Sequence, residues 1–199
     1  MTGPFIVEPL GPSHDRTEFT CGVDPLDRYF REAAGQDVRR RATACFVARE
    51  VATNRIAGFY TLAAAGILLA QMPIRLAKRL PRYPAVPVAR LGRLAVAGAY
   101  HGRKLGGALL WDAVERASRS EVAVYALVVD AKDEQAESFY LHHGFVPFGD
   151  TPVTSARPVA AGLAGSKKQP THATENRSLT FAARIGAARW QRSQPLSFS

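Results

Sequence analysis

Apolar positions recur with two distinct periods along the first 150 residues, and the pattern lapses after them. Phe5 to Val7 reads as a short strand. Asp24 is placed to cap a helix, with Pro25 at the first helical position and Asp27 in the first turn. Leu26, Tyr29, Phe30, Ala33 and Ala34 then share one helical face, so this helix is expected to reach about Arg41. Cys45 to Val47 forms a strand, followed by the turn residues Ala52-Thr53-Asn54-Arg55 and a longer strand from Ile56 to about Ala64, a hairpin. Met72 to Leu80 predicts a short basic helix stopped by Pro81. A strand over Val86 to Val96, a helix over Gly102 to about Ser120 and a buried strand over Val122 to Val129 come next. Asp133 caps a helix ending at Gly144, and Phe145 to Phe148 closes the pattern. Strand, glycine loop, helix, strand and helix in that order imply a crossover and a partly parallel sheet.

Length and composition narrow the class. The 199 residues suit one ordinary domain, and 47% apolar with 22% charged residues is close to the globular average. The longest greasy stretch, Ile56 to Ala70, is interrupted by Gly58, Tyr60, Thr61 and Gly66, so no membrane span is expected. The opening MTGPFIVEPLG lacks the basic start and apolar core of a secretion signal. Two cysteines, Cys21 and Cys45, are too few for a disulfide framework or a structural zinc site and read as buried packing residues. A reducing cytoplasm and no metal follow. From Thr151 to Ser199 the chain is dominated by Ala, Ser, Thr, Gly and Pro, a composition that predicts a disordered tail with a boundary near residue 150.

Charge is unevenly spread. The net charge is +9, and residues 151–199 hold seven Lys/Arg against one acid. Between Val51 and Trp111 there is no Asp or Glu, while nine basic residues occur. A local positive field favours a polyanion or a phosphate-bearing ligand, with a plain solubility charge as the alternative.

Candidate chemistry gathers after the Val86–Val96 strand. His101-Gly-Arg-Lys-Leu-Gly-Gly107 runs from strand to helix, and Gly102, Gly106 and Gly107 let backbone amides approach a ligand. The unpaired amides at the helix start, with the helix dipole, favour phosphate, and Arg103 and Lys104 add countercharge. A tight turn between strand and helix has the same appearance. Neither a P-loop nor a G-x-G-x-x-G is present. Lys104 is compatible with the loop only if its φ is not strongly positive.

One strand later comes Val128-Val-Asp-Ala-Lys-Asp-Glu-Gln-Ala-Glu-Ser-Phe-Tyr-Leu-His-His-Gly-Phe145. Together with the glycine loop it resembles the GNAT acetyltransferase superfamily. There the loop binds the acetyl-CoA pyrophosphate, and the helix ending in Tyr-x-x-x-Gly-Phe lies beside the thiol. Phe19-x-Cys-Gly-x-x-x-Leu-Asp27, Gly58-Phe-Tyr-Thr-Leu62, Leu91-Gly-Arg-Leu-Ala-Val96 and Val129-Asp-Ala-Lys132 resemble the tRNA-acetylating toxins of bacterial type II toxin–antitoxin systems. The resemblance covers about residues 5–150. It implies an α/β GNAT fold, a mixed central sheet with flanking helices, as one N-acetyltransferase domain over residues 1–150. The toxins end with another short apolar strand, and nothing after Thr151 is clearly equivalent.

The resemblance also implies roles. Leu94, Ala95 and Val96 would bond the pantetheine arm through their backbone. His101, Gly102, Arg103, Lys104, Leu105, Gly106 and Gly107 would hold the pyrophosphate, and Asp133 would meet the cofactor near the thiol. Tyr140 would be the general acid, although by spacing alone its ring, on a face with Ala136, Phe139 and His143, reads as core. Acetyl-CoA would be the donor and aminoacyl-tRNA the acceptor, with Arg79, Arg90 and Arg93 on a tRNA backbone track or on a solvated face. An α-amine, with pKa of about 7.7–8.0 against about 10.4 for lysine, suits a stretch without a carboxylate base. A homodimer and a ribbon-helix-helix antitoxin are implied as partners. The alternatives are an N-acetyltransferase of a small amine or a protein N-terminus, and an inactive nucleic-acid-binding GNAT-like module.

Overall fold

Two long strands carry the middle of a mixed eight-stranded sheet. The computed structural model describes residues 4–72, 77, 78, 80 and 82–147, and the backbone at Ala160–Ala161 and Leu179–Arg184. Its described residues fall into two units, one within Met1–Thr61 and Arg93–Asp112, the other within Leu62–Gly92 and Ala113–Ile185. The long strands β3 (Ile56–Leu68) and β4 (Ala85–Val96), numbered here in chain order, contribute to both.

In the first unit, β1 (Phe5–Pro9) lies antiparallel to β2 (Ala44–Glu50), with Phe5 opposite Glu50 and Pro9 opposite Phe46. The strand order is β1-β2-β3-β4. The predicted hairpin turn closes through Glu50 N–H donating to the Arg55 carbonyl at 2.9 Å, and Asn54 takes a φ of 59°, which asparagine tolerates. The single predicted helix is three pieces: α1 (Asp24–Arg28), one π turn (Tyr29–Ala33) and α2 (Ala34–Arg39). Val23 occupies the cap position in an extended conformation, so Asp24 is not the cap. In the π turn the Phe30 carbonyl accepts from Arg16 Nη1 at 2.7 Å. The core forms where Phe30 stacks on Phe59 at 4.1 Å between centroids, with Phe19 edge-on to both. Such ring pairs add about 0.5–1.5 kcal/mol each beyond the area they bury.

Gly58 marks the tightest point of this unit. A Cβ there would stand 2.8 Å from the Ala95 carbonyl oxygen on β4 and 2.8 Å from Leu109 Cδ1 on α3 (Leu105–Ser118). The hydrogen of glycine therefore sets how closely the helix seats against the strands. The helix starts three residues later than the sequence pattern suggested, because residues 101–104 form the turn that enters it.

In the second unit, β5 (Ala126–Ala131) runs parallel to β4, with Val88 opposite Ala126 and Leu91 opposite Val129. It begins four residues later than predicted. Val122 is 71% exposed, and the ladder opens only where Tyr125 N–H donates to the Pro87 carbonyl. Asp133 caps α4 (Glu134–His142) as predicted, its Oδ1 accepting from Ala136 N–H at 2.8 Å, and Gly144, at φ 80°, closes it. β6 (Val146–Pro147) follows. Of the predicted Met72–Leu80 helix, Met72 is extended and ends a 3-10 turn over Leu69–Gln71; residues 73–76, 79 and 81 lie outside the described residues.

The tail supplies strands that its composition concealed, the two-residue β7 (Ala160–Ala161) and the longer β8 (Leu179–Arg184). The backbone of β8 pairs antiparallel with β5, from Ala131 opposite Leu179 to Ala126 opposite Arg184. β6 and β7 both pair with β8, so the order on this side is β3-β4-β5-β8-β6. An uncovered edge of β5 would leave a row of backbone donors and acceptors. The rest of the predicted tail lies outside the described residues.

Gly58→Ala should destabilise the protein by about 1–3 kcal/mol, because one contact is a backbone oxygen that cannot rotate away. Gly66→Ala, whose added Cβ would meet Ala85 Cβ at 3.9 Å, should be nearly neutral. Urea denaturation of the two variants checks the contrast.

Candidate active site

The glycine loop lies at the end of β4. Ala97 N–H donates to the Ala57 carbonyl at 2.8 Å, Gly98–Tyr100 forms a 3-10 turn, and α3 starts at Leu105. Residues 101–104 are exposed and Leu105 is buried, so the loop is pinned by its last residue. Gly102 has a φ of 77° with open space where a Cβ would be. Lys104 has a φ of 58°. This overturns the expectation that lysine would avoid positive φ here. The left-handed conformation costs an L-residue roughly 1–2 kcal/mol, and strain of this kind gathers at ligand sites.

His101 folds back, its Nε2 donating to the Val96 carbonyl at 2.8 Å. It braces the loop from within. Arg103 lies over the Tyr100 ring at 5.2 Å and 3.9 Å from Glu50 Oε1. Glu50 accepts from Thr53 Oγ1 at 2.6 Å and Tyr100 Oη at 2.9 Å. These bonds, aided by the Arg103 charge, hold its carboxyl below the ordinary range. The parallel ladder to β5 spans Val88 to Leu91, and Leu94, Ala95 and Val96 follow on β4, with Ala95 buried.

Tyr140 lies on α4 and is 7% exposed. Its ring meets Phe139 at 5.2 Å and Phe145 at 5.6 Å, and its carbonyl accepts from Phe145 N–H. Burial pushes the phenol well above its ordinary pKa, and the charges of Asp130 and Asp133 act in the same direction. The group keeps its proton across the neutral range. Asp133 spends one oxygen on the cap, and Lys132 Nζ lies 3.6 Å from the other. His143 Nδ1 donates to the Phe139 carbonyl at 2.8 Å.

The expected tRNA track is only partly open. Arg90 bonds Asp130 yet remains 41% exposed. Arg93 lies over the Tyr29 ring at 3.5 Å. Arg79 lies outside the described residues. Cys45 is buried and its thiol is pushed up to about 12 by burial; Cys21, only half-buried, is pushed up to about 11 by burial and by Asp27. Both stay protonated, so packing describes Cys45 fully and Cys21 in part.

Residue-type reasoning missed the part Asp27 plays. It is 3% exposed, and its two oxygens accept from Cys21 N–H at 2.8 Å and Thr20 Oγ1 at 2.9 Å. Burial alone would raise this carboxyl, but the bonds from Cys21 and Thr20 with the Arg31 charge hold it low. An acid in an otherwise apolar helix face was the available signal. Among the described residues no cluster of three or more His, Cys, Asp or Glu side chains could hold a metal, and no helix is long and apolar enough to cross a membrane.

Comparison with known proteins identifies the family and the fold. The model of the acetyltransferase (GNAT) family matches residues 13–145. A tRNA-acetylating toxin of Mycobacterium tuberculosis (strain ATCC 25618 / H37Rv) is 33% identical over 147 residues, 73% of this chain and 86% of that one. Two solved structures share the fold. AtaT complexed with acetyl-methionyl-tRNAfMet superposes with a TM-score of 0.68 at 24% identity, covering 73% of this chain and 89% of that one. AtaTR bound with acetyl-CoA gives a TM-score of 0.67 at 21% identity, covering 92% of this chain and 95% of that one.

The strain at Lys104 is measurable. Lys104→Gly and Lys104→Ala lose the same charge, but only glycine relaxes the backbone, so the glycine variant should be about 1 kcal/mol more stable than the alanine variant. Thermal denaturation of the pair without ligand checks this.

Proposed function

This chain belongs to the acetyltransferase (GNAT) family, and from that premise we propose that it is a toxin that acetylates the α-amino group of aminoacyl-tRNA and thereby blocks translation. The observation that carries the reading is the likeness to a tRNA-acetylating toxin across most of both chains. Two features of this chain support it. The loop at the start of α3 has an open glycine and exposed cations beside a helix start, features that suit a pyrophosphate. The stretch from Val51 to Trp111 holds no carboxylate, which suits an α-amine that is partly neutral already.

Acetyl-CoA supplies the acetyl thioester. Gly102, Arg103, Lys104, Leu105, Gly106 and Gly107 hold its pyrophosphate, with His101 bracing the loop, while the backbone of Leu94, Ala95 and Val96 bonds the pantetheine arm. Tyr140 keeps a proton available for the departing sulfur, and Asp133 orders the first turn of the helix that carries it. Arg90 and Arg93 meet the tRNA backbone through the guanidinium edges not engaged by Asp130 and Tyr29, and the sequence adds Arg79 to the same track. The catalytic domain is residues 1–150, joined on its sheet by a strand from the basic extension 151–199. The partners are a second copy of the chain and a ribbon-helix-helix antitoxin, in the cytoplasm.

Mass analysis of charged tRNA after incubation with acetyl-CoA tests the reaction itself. An unmodified aminoacyl end beside an acetylated small amine would move the reading to the small-amine class. Tyr140→Phe removes one oxygen and keeps the ring packing. It should lower turnover by about 10²- to 10⁴-fold with little change in acetyl-CoA affinity, since the proton matters only as charge develops on sulfur. Near-normal turnover would leave Tyr140 as a core residue. Reversing charge at Arg90 and Arg93 should weaken tRNA acetylation and flatten its salt dependence by about one counterion per lost phosphate contact. Transfer to a small amine should be much less affected.

A further inference from the structure

The motif Phe19-x-Cys-Gly-x-x-x-Leu-Asp27 has no part in the chemistry described so far. Its structure is a clamp. Asp27 Oδ1 and Oδ2 hold Cys21 N–H and Thr20 Oγ1, so both the backbone and the side chain of the Thr20–Cys21 segment are fixed. Arg31 Nη1 donates to the Phe19 carbonyl at 3.1 Å, one residue earlier. Gly22 then turns with a φ of 83°, which brings the chain back to the helix that carries Asp27.

What this segment does with its rigidity is visible at Thr20. Its carbonyl accepts from Gly98 N–H at 2.9 Å. Gly98 is the first residue of the 3-10 turn that leads into the glycine loop, and its own carbonyl accepts from His101 N–H. The neighbouring bond, Ala97 N–H to the Ala57 carbonyl, ties the preceding residue to β3. The loop therefore leaves the sheet between two successive backbone bonds, one to a strand and one to the clamped segment. A cleft of about 400 Å³ is lined by Phe19 and Thr20 together with Ala97, Ala99 and Tyr100. With that space beside it, the Thr20 carbonyl acts as a strut and not as one contact in a packed interface.

We propose that Asp27 is a positioning residue for the pyrophosphate loop, acting through Thr20 and Gly98 to set the place at which residues 101–107 leave β4. A buried carboxylate satisfied by two donors makes a stiff fixture, because moving either donor strands a charge away from water. Charge-assisted bonds of this kind are also stronger than those of a neutral amide. Asp27→Asn keeps the shape and removes the charge: its Oδ1 still accepts from Cys21 N–H and its Nδ2 meets a rotated Thr20 hydroxyl. Two charge-assisted bonds become weaker neutral ones and the strut loosens. This inference rests on the loop being the acetyl-CoA site.

The test separates the pyrophosphate from the rest of the donor. Calorimetric titration of the wild-type protein with acetyl-CoA comes first; absence of binding there would overturn the site assignment itself. Given binding, Asp27→Asn should raise the acetyl-CoA Kd about tenfold, whereas the KM for S-acetylpantetheine, which lacks the pyrophosphate, should stay within about twofold of wild type. A merely structural role would lower the melting temperature and weaken both donors alike, or neither. Equal loss on both donors, or an unchanged acetyl-CoA Kd in a folded variant, overturns the proposal. Thr20→Val removes only the hydroxyl bond to Asp27 and keeps the carbonyl, so it stands in if Asp27→Asn does not fold. A rise of about threefold in the acetyl-CoA Kd is then expected, and an unchanged Kd refutes the clamp.

Discussion

The close approach at Gly58 is the constraint from which the described site follows. With 2.8 Å from a Cβ position to both the Ala95 oxygen and Leu109 Cδ1, no other residue lets β3, β4 and α3 keep their separation. Leu109 and Leu110 are fully buried, so the seating of α3 is an apolar contact that cannot slide without opening a void. The helix start is then delivered to the end of β4 over a loop of a few residues. The pyrophosphate site proposed at the start of α3 would need a helix end that is held still, and packing of Leu109 and Leu110 holds this one.

Polar groups refine what the packing places. Tyr60, with its ring on Phe46, bonds Asp112 on α3. Glu50 gathers Thr53, Tyr100 and, more loosely, Arg103. In each case a carboxylate ties the helix, or the turn that leads to the loop, to a distant part of the chain. The loop itself contains no acid. Its cations therefore stay available to an anion, while its position is fixed by acids whose charge is already satisfied. Arg103 illustrates the balance, since a contact of 3.9 Å on a half-exposed side chain contributes little and yields readily to a phosphate.

The proton chemistry is set by burial. Tyr140 is enclosed by Phe139 and Phe145, and nearby acids reinforce the preference for the neutral phenol. Asp130 is itself pushed up by burial and drawn back by Arg90. For the acetyl transfer proposed above, a held acid would matter more than a strong base, and the neutral Tyr140 phenol is compatible with that role.

The order of elements, the hairpin turn, the glycine loop and the Asp133 cap were legible in the residues, because each is a local rule of period, cap or turn. The resemblance was legible for the same reason, being carried by short motifs. Position was not legible. The strand β5 begins at Ala126, opposite Val88, and Val122 to Val124, equally apolar, lie before its ladder to β4. The strand β8 was hidden in a tail of small residues because backbone pairing asks little of side-chain type. The π turn at Tyr29–Ala33, the positive φ of Lys104 and the clamp made by Asp27 follow no period, cap or turn rule and depend on which atoms meet in the folded chain. Local periodicity encodes which element forms; which atoms then meet depends on the packing of distant segments, and only the folded chain brings those together.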